Sequence, residues 1–312
     1  MQLIKNEWIK IWSKRNAQVM FLIVIIAMIG FASLNKYYSA NSDSKEARLA
    51  ENEKVIENYK ETMSSTGMTE EDIAYFEEQI QLTEYRIAND LPSEDTVFFQ
   101  DHTDLSLNIV VMLVSIFTMV IAASIVSSEF GTGTVKMLLT RPVARWKILL
   151  SKLIASLIYG ITVFAIGALI AIVLGYILFP TESAFSLSLV NGEVVKTAIE
   201  FPFGDKILYN CLSIFMTILF AFMLGAVFGS STMAVGFSLI IFMMGSIITM
   251  FIAQYDFAKY IWFANDLSYF APGSEPLIEG ITLNFSIAVN VIYAVIFLGV
   301  TFGYFTRRDI TA

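Results

Sequence analysis

The chain has 312 residues, of which 56% are hydrophobic and only 15% charged, against roughly 25% charged in a soluble domain. One cysteine (Cys211) and one histidine (His102) exclude a disulfide framework and any Cys/His zinc cluster. A net charge of −8 lacks the basic stripe that nucleic-acid phosphates require.

The chain opens with Met1, Ile4, Trp8, Ile11 and Trp12 at helical spacing, opposite Lys5, Lys10 and Lys14. This pattern predicts an amphipathic helix over 1–16, lying in the inner membrane interface with its tryptophans at headgroup depth. A spanning helix needs roughly 20 mostly apolar residues to cross the bilayer core. Six stretches qualify: 17–34, 105–127, 149–179, 207–228, 233–253 and 285–305. The third is over-long and is expected to tilt or project beyond the bilayer. The first has a basic flank and a weak cleavage-like Tyr38-Ser39-Ala40 behind it. Its apolar run exceeds that of a secretory signal, so it is read as a retained span. The fold class is therefore an all-α integral membrane protein with six transmembrane helices.

Between the first two spans lies a charged insert, residues 35–104. Leu49, Asn52, Ile56, Tyr59 and Met63 recur at three-four spacing, and so do Ile73, Phe76, Ile80, Thr83 and Ile87. Thr69 with Asp72 makes a capping box in which Asp stands for the usual Glu or Gln. Two helices folded into an antiparallel hairpin are predicted, with a core small enough to need support from a second copy or from the membrane-proximal loops. His102, just behind, is read as solvated. In residues 180–206, Phe185 to Val190 alternate in polarity up to Asn191-Gly192, after which Glu193-Val194-Val195 follow. That pattern predicts a small β-hairpin.

Lysine and arginine in short loops set orientation. The side bearing both termini carries a net charge of +8 and the other side −16. Both ends, residues 128–148 and the tail 306–312 are thus expected in the cytoplasm, and the insert, the β-hairpin and residues 254–284 outside.

No G-x-x-x-x-G-K-[ST] phosphate loop is present, so the chain carries no ATP site of that kind and no enzyme motif. Gly131-Thr132-Gly133-Thr134-Val135-Lys136 lacks the spacing. The span centres hold no ionisable residue. Each would cost roughly 2.5–3.5 kcal/mol there and is kept mainly where function needs it. A self-powered, ion-coupled transporter is disfavoured on that ground. Small residues at four-residue spacing (Gly167, Ala171 and Gly175; Gly225 and Gly229; Gly299 and Gly303) mark expected helix contacts. Asn108, Ser115 and Thr118 in the second span, with Ser238, Ser246 and Thr249 in the fifth, form weakly polar stripes. Helix–helix hydrogen bonding explains them, and a substrate path is the functional alternative.

Residues 127–152 are the most informative segment. Thr132 or Thr134 can cap a short helix bearing Val135, Leu138 and Leu139, which Pro142 ends. An apolar face so placed suits a partner's groove or the inner leaflet. The positions Glu129, Gly133, Thr134, Leu138, Leu139, Pro142, Arg145 and Lys152 resemble the pattern of permease subunits of type 2 ATP-binding-cassette exporters. The six-span layout, the amphipathic first helix and the outer segment 254–284, where that family often places short re-entrant helices, extend the likeness. The long insert departs from it.

The resemblance implies a permease in the bacterial plasma membrane, paired with a second copy as a homodimer. Each copy would dock a separate subunit that binds ATP and Mg, through Glu129, Gly133, Thr134, Leu138, Leu139, Pro142 and Arg145. It would export an amphipathic or lipophilic substrate such as a peptide antibiotic, drug or lipid. The alternative is a signalling or mechanical complex that moves its outer hairpin without transport. A passive channel would need a wettable pore lining that the sequence does not show.

In a Cys211→Ser background, a cysteine at Ser64 is expected to react with an impermeant thiol reagent on intact cells, and one at Thr132 only after permeabilisation. Labelling at Thr132 in intact cells would reverse the orientation.

Overall fold

A computed structural model describes residues 2–39, 45–64, 68–93, 96–131, 144–182, 184–190, 192–199 and 202–307. In chain order the elements are α1 (Gln2–Ser13), α2 (Arg15–Ser39), α3 (Lys45–Met63), α4 (Glu70–Ala88), α5 (Phe99–Gly131) and α6 (Arg145–Leu178). Next come β1 (Phe185–Val190), β2 (Glu193–Ala198), α7 (Phe203–Val227) and α8 (Ser231–Ile252). Three 3₁₀ turns (Asp256–Tyr260, Trp262–Asn265 and Leu267–Phe270) then lead to α9 (Leu283–Arg307).

Among the described residues, α2, α5, α6, α7, α8 and α9 are long and apolar enough to cross a membrane. Several outrun the apolar cores read from sequence. α5 starts at Phe99 rather than 105, because the Asp101 carboxylate accepts the Phe98 N–H at 3.0 Å and stabilises a polar first turn. α6 has 34 residues, or about 51 Å at 1.5 Å per residue, so it exceeds a hydrocarbon core of about 30 Å. Between α8 and the start of α9 at Leu283, the segment expected to hold short re-entrant helices carries three short 3₁₀ turns.

The chain forms two compact units. The first comprises Met1–Ile26, Asn108–Ala168 and Pro202–Ala312. Its helices approach closely where side chains are small. A Cβ on Gly225 would stand 2.5 Å from the Ala123 carbonyl oxygen, so α5 and α7 touch backbone to backbone there. A Cβ on Gly167 would meet Val110 and Val24 side chains. The Gly299 and Gly303 pair behaves differently from its sequence reading: a Cβ at either position meets nothing within 4 Å. A methyl group would therefore fit at either position.

The 3₁₀ turns are fastened to α9 by one buried amide. Asn265 Nδ2 donates to the carbonyls of Lys259 (2.7 Å) and Ile261 (2.9 Å), and its Oδ1 accepts from Ser286 Oγ (2.9 Å). Asn290 Nδ2 completes the knot by donating to the Asn265 carbonyl at 2.6 Å. A buried polar group is tolerated when its donors and acceptors are met this fully. Trp262 packs beside it against Phe220 (5.2 Å between ring centres) and Phe297 (5.6 Å).

The second unit comprises Ala27–Leu107 and Leu169–Phe201. α3 and α4 pack as the predicted helical hairpin, with Asn52, Leu82 and Thr83 buried and Tyr59 against Phe76 at 5.6 Å. Thr69 Oγ1 accepts from Asp72 N while the Asp72 carboxylate accepts from Thr69 N, closing the capping box. Those bonds, the Thr69 hydroxyl's first, hold the Asp72 carboxyl below its ordinary value of 3.8. The hairpin ends are tied by Lys45 to Asp90 at 3.0 Å. Its small core leans on the β-hairpin: α4 packs on β1, Arg86 lies over the Phe185 ring, and Lys196 Nζ sits 3.9 Å from that ring's centre.

β1 and β2 pair antiparallel from Phe185↔Ala198 to Val190↔Glu193, with Gly192 at φ +84° in the turn. Asn191 lies outside the described residues. His102 corrects its sequence reading. It is 1% exposed, stacked on Phe179 (4.3 Å) and Phe31 (5.7 Å), with its ring nitrogens against Asn35 and Ser106. It packs because α5 begins a turn and more earlier than the apolar run. A Cβ on Gly175 would collide with Thr103 and the His102 ring, so that glycine leaves room for it.

Gly225→Ala is expected to destabilise the purified protein by about 1–3 kcal/mol through overpacking against backbone. Gly299→Ala should leave the isolated chain's melting unchanged. Thermal melting in detergent reads both.

Candidate functional site

Two places in the first unit gather polar groups. At one, the ends of α1, α5 and α6 meet on a buried ammonium. Lys152 Nζ donates to Glu129 Oε1 at 2.6 Å and to Glu7 Oε2 at 2.9 Å. The Lys152 side chain is 1% exposed and that of Glu129 6%. Lys10 reaches the same Glu129 oxygen at 3.2 Å from a half-exposed position. Desolvating such charges is offset only when each is paired and hydrogen-bonded, and here the ammonium bridges two carboxylates. Aromatic packing holds α1 in register: Trp12 lies 5.3 Å from both Phe21 and Tyr159, Ile11 is buried, and Tyr159 Oη donates to the Ala17 carbonyl at 3.0 Å.

Of the residues read from sequence as a partner-docking set, Glu129 is in this cluster and Arg145 stands exposed at the start of α6. Gly133, Thr134, Leu138, Leu139 and Pro142 lie outside the described residues. Glu7 was missed by sequence reasoning. Its signal was that it is the one acid on a basic amphipathic segment, which a solvated face does not require.

The second place is an open cleft of about 500 Å³ bounded by α5, α7, α8 and the 3₁₀ turns. Asn108, Met112 and Ser115 line it from α5, Asn210 and Ser213 from α7, Phe242 and Ser246 from α8, and Trp262, Phe263, Asp266 and Tyr269 from the turns. Asp266 is fixed by two neutral donors, Ser213 Oγ to Oδ2 at 2.9 Å and Ser268 N to Oδ1 at 2.9 Å. The Tyr269 and Ser246 hydroxyls face each other at 3.3 Å.

Three of the six residues read as a candidate substrate path, Asn108, Ser115 and Ser246, therefore meet at one cleft. Thr118, Ser238 and Thr249 do not. Each is buried, and its hydroxyl donates to a carbonyl one turn back in its own helix, Val114, Ala234 and Gly245 respectively. A hydroxyl in an apolar setting satisfies itself locally when nothing else is in reach. Asn210, Ser213, Asp266 and Tyr269 are not in the sequence-derived set: Asn210 and Ser213 lie in the fourth span, and Asp266 and Tyr269 in the segment 254–284 expected to be re-entrant, and only the packing brings them together. Among the described residues no group of three or more His, Cys, Asp or Glu side chains is placed to hold a metal ion.

Among the described residues, six helices long and apolar enough to cross a membrane define a multi-pass membrane protein. Residues 80–311 match the family described as "Protein of unknown function (DUF2705)", and the chain belongs to that family. It is similar to "Uncharacterized protein YhcI" of Bacillus subtilis (strain 168), 38% identical over 319 residues and covering 99% of each chain. It is also similar to "Uncharacterized membrane protein YdbK" of the same organism, 31% identical over 209 residues, which is 66% of this chain and 80% of that protein.

Lys152→Met leaves two carboxylates facing each other in a buried site and is expected to cost about 3–5 kcal/mol, less the part Lys10 retains. Combining it with Glu129→Gln should recover most of the loss. Melting temperatures of the single and double variants check this; a double variant no more stable than Lys152→Met would show that the stranded Glu129 charge is not the source of the loss.

Proposed function

We propose that this protein is the permease subunit of an ATP-driven exporter of the type 2 ATP-binding-cassette kind. Two copies cross the bacterial plasma membrane as a homodimer, with both termini inside and the helical insert and β-hairpin outside. α1 lies along the inner interface. Each copy docks a separate subunit that binds ATP and Mg, and the complex moves an amphipathic or lipophilic compound outward.

The observation that supports this reading best is the buried Glu7–Lys152–Glu129 cluster. It ties the end of α5 to the first turns of α6 and to α1, on either side of the connection 132–144. A push on that connection would reach both helices as one body instead of being absorbed at a loose joint, as domain-motion coupling requires. The open polar cleft between α5 and α8 is consistent with a substrate chamber on the same helices. The alternative is a signalling complex that moves the outer hairpin without transport. It draws on the way Arg86, Phe185 and Lys196 join the insert to the β-hairpin, and uptake by reconstituted vesicles separates the two.

Replacing Leu138 and Leu139 together with Asp is expected to release the ATPase while the permease still inserts, because an unpaired carboxylate in an apolar contact costs several kcal/mol. Affinity purification from native membranes followed by ATPase assay reads the outcome. Undiminished co-purification with the double variant would remove 128–148 as the docking site.

A further inference from the structure

The Asp266 cleft has a chemical character that the exporter reading does not supply. Asp266 is half-buried, and its two oxygens accept only neutral donors, Ser213 Oγ and Ser268 N. Each carboxylate oxygen has two acceptor sites, so capacity remains on both. Among the described residues it makes no ion pair. A carboxylate withdrawn from bulk water favours a cation close by.

A second, independent feature lies one helical turn away. Asn210 is 3% exposed, lines the same cleft, and its Nδ2 is buried with no hydrogen-bond partner. A buried donor left unmet calls for an acceptor. Asn210 and Ser213 stand three residues apart on α7, so their Cβ atoms are about 5–6 Å apart. The anchor of the Asp266 carboxylate and the unmet donor are therefore neighbours. Met112, Phe242, Trp262 and Phe263 supply an apolar and aromatic wall, and about 500 Å³ suits a drug-sized molecule.

We propose that this cleft binds a primary ammonium group with a hydrogen-bond acceptor oxygen a few bonds away, carried on an apolar body. The ammonium pairs with Asp266, the oxygen accepts from Asn210 Nδ2, and the body lies against the aromatic wall. Two sources share this chemistry, a free aminoacyl compound and the headgroup of an ethanolamine lipid. That the ligand is also the transported class rests on the exporter reading; its binding does not.

The test uses the full chain, purified into nanodiscs of phosphatidylcholine and phosphatidylglycerol, without any ATPase. The probe is fluorescent leucine β-naphthylamide, compared with its N-acetyl derivative, which keeps the carbonyl and the apolar body and loses the charge. Signal from chain-free nanodiscs is subtracted. The free amine should bind at least about tenfold more tightly, the scale of one charge-assisted hydrogen bond. Asp266→Asn should erase that difference. Asn210→Leu should weaken both compounds alike, since both keep the carbonyl. Ser213→Ala should keep the preference, because the charge remains.

Adding phosphatidylethanolamine to the nanodiscs separates the sources. Loss of probe binding names the lipid as occupant, and unchanged binding names the free compound. Equal binding of amine and acetylated amine to the unmodified chain overturns the proposal, whether or not Asp266→Asn folds. That failure leaves the exporter reading standing. Intact binding in a chain that drives no ATP-dependent movement of any amphipathic compound in reconstituted vesicles overturns the exporter reading alone.

Discussion

One ammonium group, buried between two carboxylates from distant parts of the chain, sets the geometry at one end of the first unit. Lys152 sits early in α6, Glu129 late in α5 and Glu7 in α1, and the bonds of 2.6 and 2.9 Å leave little freedom among them. Buried charges of this kind add modest net stability when measured against a well-packed apolar core. Their effect is on specificity, because an alternative register of α1 or α6 would strand a charge. Trp12, Tyr159 and Phe21 then pack around the joint with the remaining contacts of α1.

The same rule, that a polar group in an apolar setting seeks a partner, accounts for much of the first unit. Hydroxyls on α5 and α8 turn back to their own helix carbonyls. Asn265 spends both its amide and its carbonyl on securing the 3₁₀ turns to α9. This knot gives the Lys259, Ile261 and Asn265 carbonyls partners and so holds irregular backbone against long helices. Against that background Asn210 stands out as a buried amide whose donor is unmet, on the wall of the cleft that Asp266 enters.

The charged insert in the second unit is held by local caps and charge pairs. α4 carries a capping box, Lys45 pairs with Asp90 across the helical hairpin, and the small core is completed by a β-hairpin through Phe185. His102 shows how an aromatic pocket built from three segments can bury a lone histidine that its charged sequence neighbours make look solvated.

Local pattern was enough for much of this. The six apolar runs, the two stripes of the insert, the Thr69–Asp72 cap and the Asn-Gly hairpin were legible because each depends on residues within a few positions of one another, whose spacing matches the period of a helix or strand. Helix ends were less legible, since polar terminal turns such as Phe99–Asp104 are stabilised by capping and packing and not by apolarity. The convergences were not legible at all. Glu7 meets Lys152 across 145 positions, and Ser213 meets Asp266 across 53. Gly225 finds a backbone against it while Gly299 finds nothing, though both sit in the same small-residue motif. Periodicity says which side of a helix is apolar; only the packing of helix on helix decides which polar groups that side brings together.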